Sequence, residues 1–336
     1  MSGYNEGLSK YTIIRKIGEG NFGIVAQAND KHNGETVAIK FLKDRCRLSE
    51  DCIEMRELKA LVALDHPNII KLKEIIQEGE FLRLVFEYMD MSLCQRIRER
   101  TRFFSEEKIR GYCFQILNGV DYMHSRGYFH RDLKPANILV SGKLVKIADL
   151  GSSRVCLEVE DDLDCTRECL SDQPSYTSNI TTLWYRAPEV LVKSSKYGSA
   201  IDMWAMGAIM AEFFLLEPLF CGTDDVNQLH KICSIIGSPF SWYKGLQEAE
   251  AHNIQLPVCL RTPLQVLIPS ASRDAIELME SLLSWDPNDR PTAAEALRHP
   301  FFKPCFEAQH PLDLELRLTT AMTFPSTNGE VNRVLI

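Results

Sequence analysis

Apolar residues fall into two regimes along the chain. From Tyr11 to Val85 they come in short runs, YTIIRKIG, GIVAQAND, ETVAIKFL, IIKLKEII and FLRLVFEY, broken by Gly, Asn and His-Pro turn signals. Runs of this length and punctuation predict β-strands. Residues 51–64 interrupt them with Ile53, Leu58, Leu61 and Leu64 on one helical stripe, so one helix beside an antiparallel sheet is expected. After Met91 the period lengthens, and helices are predicted over 92–102, 105–126, 200–215, 226–236 and 272–283. The expected class is α+β with two lobes: an extension at 1–10, a small sheet lobe at 11–86, a hinge at 87–91, a larger helical lobe at 92–302 and a tail at 303–336. Clefts between lobes are favoured ligand sites, which draws attention to FEYMDMS at 86–92.

Composition narrows the options. The chain has 336 residues, 45% of them hydrophobic, enough for a substantial core. A net charge of -8 argues against a dominant nucleic-acid or anionic-membrane face, either of which needs basic surface. The opening MSGYNEGLSKYT lacks the features of a secretory signal, so a cytoplasmic or nuclear location is expected. The most apolar stretch, 203–220, contains Glu212, Glu217 and Pro218, and reads as a buried helix rather than a membrane span. Eleven cysteines without paired spacing predict free thiols; Cys156, Cys165 and Cys169 lack the tight pairs of zinc sites and read as part of a solvated acidic loop.

Two features point to phosphate. Gly18-Glu19-Gly20-Asn21-Phe22-Gly23, with Ile17 before and Val25 after, lies between two strand-like runs, where glycines let backbone N–H groups approach phosphate oxygens. A glycine-rich hairpin that binds nothing fits as well. A dinucleotide-binding turn would open a helix, whereas here a second strand follows. Downstream, Val37-Ala38-Ile39-Lys40 puts an ammonium among apolar side chains, and Glu57 in MRELKAL can pair with it and orient it toward the phosphates.

His130-Arg131-Asp132-Leu133-Lys134-Pro135-Ala136-Asn137, then Asp149-Leu150-Gly151, then Ala187-Pro188-Glu189 follow in order. From roughly Tyr11 to Phe302 the chain resembles a eukaryotic protein kinase. The resemblance implies a bilobal kinase fold, ATP and Mg²⁺ as cofactors, and a definite distribution of roles. Asp132 would orient the acceptor hydroxyl and take its proton, Lys134 would contact the γ-phosphate, and Asn137 and Asp149 would ligate Mg²⁺. Val25, Ala38 and Leu139 would sandwich adenine, the backbones of Glu87 and Met89 would bond its edge, and Phe86 would be the gatekeeper. Lys134 marks Ser/Thr rather than Tyr specificity. Asp202 resembles a brace for the catalytic loop, and Glu189 with Arg290 a buried ion pair of the large lobe.

Trp184-Tyr-Arg-Ala-Pro-Glu189, MREL and the long 220–270 segment are similar to the group containing cyclin-dependent and mitogen-activated kinases (CMGC). FHRDLKPANILV, DLGSSR and EYMDMSL are most similar to its RCK branch, MOK-type. The group implies Ser/Thr-Pro protein substrates, and the branch suggests a cilium or flagellum by analogy alone. The Thr-x-Tyr activation pair is replaced by Thr177-Ser178-Asn179, and Leu183 stands where those branches have arginine, as in cyclin-dependent kinases. An upstream activating kinase and a cyclin-like subunit are therefore candidate partners of an otherwise monomeric catalytic unit. Arg56, Arg131 and Arg154 form a potential receiver for phosphorylated Thr177. A pseudokinase scaffold is the competing reading, against which the intact polar set argues.

Overall fold

In the computed structural model, the described residues are 6–20, 23–43, 53–78, 81–155, 183–195 and 197–307. Of the sequence expectations, Asn21, Phe22, Thr177, the acidic 156–173 segment and the tail beyond 307 lie outside them, as do the side chains of Arg56, Glu57 and Arg154.

The small lobe is a five-stranded antiparallel sheet in the order β1-β2-β3-β5-β4. Its strands are β1 (Tyr11–Gly20), β2 (Gly23–Asp30), β3 (Thr36–Leu42), β4 (Leu72–Glu78) and β5 (Phe81–Glu87). The run at 69–76 does not become strand from its start. Ile69 and Ile70 instead turn inward, at 1% and 4% exposure, and cross to the other lobe. Ile70 N donates to Ile147 O (2.8 Å) and Ile147 N to Asn68 O (2.8 Å), so those positions have sheet partners outside their own lobe. Gly23 sits at φ 150°, and a Cβ there would fall 1.9 Å from the carbonyl oxygen of Phe41. The hairpin leading into β2 thus closes against β3 only with glycine at this position. A helix, α1 (Ile53–Ala63), packs on the turn at Leu150–Ser152.

The helical lobe follows the predicted pattern closely, because its polar punctuation is genuine capping. Ser92 accepts a hydrogen bond from Gln95 N at the start of α2 (Leu93–Arg98), and Ser105 from Lys108 N at the start of α3 (Glu106–Ser125). Three short strands, β6 (Met91–Ser92), β7 (Ile138–Ser141) and β8 (Leu144–Ile147), form a sheet beneath the cleft. Next come α4 (Pro188–Leu191) and α5 (Ala200–Leu215). Ile201 to Phe214 are all buried, which explains a segment apolar on every side in an aqueous fold. Among the described residues no helix is long and apolar enough to cross a membrane. The remaining principal helices are α6 (Asp225–Ile236), α7 (Tyr243–Ala251) and α8 (Arg273–Leu282).

The candidate active site

Asp202, 1% exposed at the start of α5, organises the loop that carries Asp132. Its carboxylate accepts from His130 N (2.7 Å), Arg131 N (2.9 Å) and the ring of His124 (2.9 Å). Burial alone would raise this carboxyl, but the bonds and charge from His124, with the approach of His130, outweigh it and hold the pKa below the ordinary value. Two backbone donors on one carboxylate fix a loop conformation that sequence propensity disfavours, since Arg131 has φ 71°. His130 Nε2 lies 3.0 Å from Ala148 O, and Asp132 N donates to His130 Nδ1 (3.3 Å). Ala148 N in turn donates to Asn137 O (2.8 Å), so the His130 to Asn137 loop and the Asp149 turn are stitched into one body.

Within that body the side chains converge as the order of motifs suggested. Lys134 Nζ stands 2.7 Å from Asp132 Oδ2. Asn137 Nδ2 donates to the Asp132 carbonyl (2.9 Å) and carboxylate (3.1 Å), which leaves its Oδ1 as the acceptor facing other company. Asp149 occupies a left-handed conformation, φ 62° and ψ 66°, and its side chain keeps 39% of its exposure. Lys40 Nζ reaches to 4.0 Å of Asp149 Oδ1 from the opposite lobe. The predicted Lys40 to Glu57 pairing falls outside the described side chains; Glu57 itself lies on α1.

Strand register delivers the other expected residues. Val25 faces Lys40 across β2 and β3, Ala38 faces Phe86 across β3 and β5, and Gly18 faces Val25 across β1 and β2. Leu139 pairs with Ser92, directly after the hinge. Glu87 N donates to Lys71 O (3.1 Å), while Met89, 7% exposed, makes no hydrogen bond among the described residues. Glu19 and Gly20 end β1 at the mouth of the hairpin, and Ile17 is 39% exposed. Leu150, in the position where phenylalanine is commoner, is completely buried in the core shared with Leu58 and Leu61 of α1.

The donor set suits the expected cofactors. Asn137 Oδ1 and the Asp149 carboxylate are hard oxygen ligands of the kind Mg²⁺ takes. The Lys40 ammonium beside them supplies a cation for phosphate oxygens.

Sequence reasoning missed several partners. Lys146 Nζ pairs with Glu87 Oε1 at 2.8 Å, and the same oxygen accepts from Lys71 N at 2.7 Å, fastening the hinge to β8. No local motif announces that ion pair. A cavity of about 260 Å³ opens beside Lys134, Pro135 and Ala136, lined also by Arg98, Tyr185 and Glu212. Tyr185 OH donates to Glu212. Burial lifts the Glu212 carboxyl to about 7, against the opposing pull of Tyr185 and Arg98, and pushes the Tyr185 phenol far upward. Glu189 and Arg290 meet in two bonds of 2.7 Å with almost no exposure, as the sequence reading anticipated.

The family model described as "Protein kinase domain" matches residues 11–302. The chain belongs to this family. The kinase is 46% identical over 300 residues to cyclin-dependent kinase F-4 of Oryza sativa subsp. japonica, covering 89% of this chain and 62% of the rice protein. It is 44% identical to serine/threonine-protein kinase MAK of Homo sapiens, over 88% of this chain and 46% of the human protein. With cyclin-dependent kinase F-3 of rice the identity is 44%, over 97% of this chain and 72% of the relative. The chain thus spans only about half to two thirds of the length of the first two relatives. These matches place it in the RCK branch of the CMGC group that its motifs resemble.

Proposed function

We propose that this kinase transfers the γ-phosphoryl of ATP to Ser and Thr hydroxyls of protein substrates, with preference for a following proline. The observation that carries the reading is the gathering of Asp132, Lys134 and Asn137 within hydrogen-bond distance, on the same body as Asp149, which Lys40 approaches from the opposite lobe.

In this mechanism Asp132 accepts the substrate hydroxyl proton and aims the oxygen for in-line attack. Lys134, already bonded to that carboxylate, follows the transferring phosphoryl and offsets charge that spreads over its oxygens. Asn137 and Asp149 would hold Mg²⁺, which when bound neutralises phosphate charge. Lys40 orients the neighbouring phosphates, and the free backbone groups of Met89 with the Glu87 carbonyl hold the adenine edge. Val25, Ala38 and Leu139 cover its faces, and Phe86 limits depth.

Phosphorylation of Thr177 by an upstream kinase is the activating step in this reading, and Arg131 is one cationic receiver for it. Dependence on a cyclin-like subunit is the second reading, suggested by Leu183. That leucine is 5% exposed within the core of the large lobe, which gives it a packing role in the isolated chain. The proposed locations are cytoplasm or nucleus.

Purified protein with labelled ATP, Mg²⁺ and a Ser-Pro and Thr-Pro peptide library tests the assignment. Turnover is expected without any added subunit. Asp132→Asn is expected to lower kcat by about 10² to 10⁴ while ATP affinity stays close to the original. Equal turnover by the variant would refute the role of Asp132, and incorporation indifferent to proline would remove the substrate preference.

A further inference from the structure

Arg131 is committed at both ends. Its backbone N–H is one of the two that Asp202 holds, and its backbone lies in the left-handed region immediately before Asp132. Its guanidinium does not point into open solvent. Nη2 donates to Tyr197 OH at 2.7 Å, the guanidinium carbon stands 5.6 Å from the centre of the Tyr197 ring, and Nη1 reaches Ser152 O at 3.5 Å. Tyr197 lies three residues before α5, in the same stretch of chain that delivers Asp202. One arginine therefore ties the catalytic loop, the turn after Asp149 and the approach to α5 to a neutral phenol.

A phenol oxygen accepts a charge-assisted hydrogen bond without carrying charge, and the ring face adds attraction for the cation. It occupies one of the five guanidinium donors and leaves others for a phosphate, which binds more strongly. Without a partner for its side chain, a loop held in a sparsely populated conformation would lose one of its restraints. We infer that Tyr197 is a positioning residue that holds Arg131, and through it Asp132, in working geometry when no phosphate is present, and that a phosphate on Thr177 takes over this duty. The second half rests on the activation step proposed above; the first half does not.

The test compares kcat and KM for four proteins: the full chain phosphorylated on Thr177, Thr177→Ala, and each of these carrying Tyr197→Phe. Phenylalanine keeps the ring and removes only the acceptor. In the Thr177→Ala background, Tyr197→Phe is expected to lower kcat about tenfold with KM for ATP and peptide changed less than about twofold. In the phosphorylated protein the same substitution is expected to cost less than about twofold. Equal kcat for Thr177→Ala with and without Tyr197→Phe would overturn the inference. An equal tenfold loss in a phosphorylated protein that phosphate does activate would overturn the exchange. Should phosphate not activate at all, the reading of Thr177 fails alone, and the tenfold loss is then expected in both backgrounds. If Tyr197→Phe lowers stability, a double-mutant cycle with Arg131→Lys in the Thr177→Ala background decides. Non-additive losses in kcat support the clamp, and additive losses refute it.

Discussion

The two lobes hold their charged groups by different means. In the helical lobe three carboxyls are buried and satisfied from within: Glu189 by Arg290, Asp202 by His124 and two backbone N–H groups, Glu212 by Tyr185. In the sheet lobe Lys40 stands on β3 opposite Val25 and Leu84, placed by register, and its ammonium looks across the cleft to Asp149. The contrast teaches where a substitution will be felt. Breaking one of these buried pairs strands a charge away from water and acts on folding, whereas removing the Lys40 charge acts on ligand and turnover.

The largest effect is expected from Arg290→Met. It leaves the Glu189 carboxylate, 2% exposed, without its partner, at a cost of about 3 to 5 kcal/mol measurable by chemical denaturation. A loss below about 1 kcal/mol would erase the distinction between lobes. Lys40→Met comes next and should do the reverse, lowering kcat/KM about 10²-fold while unfolding free energy shifts by less than about 1 kcal/mol. If stability falls as far as activity, the lysine is a structural group.

Glu212→Gln sharpens the comparison through pH. The folded carboxyl is raised to about 7 from an ordinary 4.5, so the folded state binds the proton more tightly and wild-type stability falls as pH rises between those values. The glutamine variant lacks that decline. Relative to wild type it should gain about 3 kcal/mol between pH 4.5 and pH 8, read from unfolding curves at both. Parallel curves would show that the carboxyl is not titrating in this range. The smallest effect is expected from Ser105→Ala, which removes the cap of α3 and should cost about 1 kcal/mol by the same measurement.

Local chemistry explains what could be read in advance. Serines at 92, 105 and 272 do cap the helices whose starts they marked, and the most apolar run, 203–220, forms buried α5 as far as Leu215. The chemistry of the site was also legible, because Asp132, Lys134 and Asn137 lie on one short loop and meet there. Contacts that depend on distant chain segments were not. Nothing near Lys146 announces Glu87, and nothing near Tyr197 announces Arg131, because both pairs are created by the packing of elements far apart in sequence. The run at 69–76 misleads for the same reason: its first isoleucines are apolar because they cross to Ile147, not because they begin β4.

The hairpin at Gly23 carries a further consequence, for heredity rather than for chemistry. With a carbonyl 1.9 Å from where any Cβ would stand, the position tolerates no codon that encodes a side chain without moving β3, the strand that bears Lys40. A compound that leans on this glycine would be hard to escape by substitution at that site, since the change that evades it would also displace the lysine.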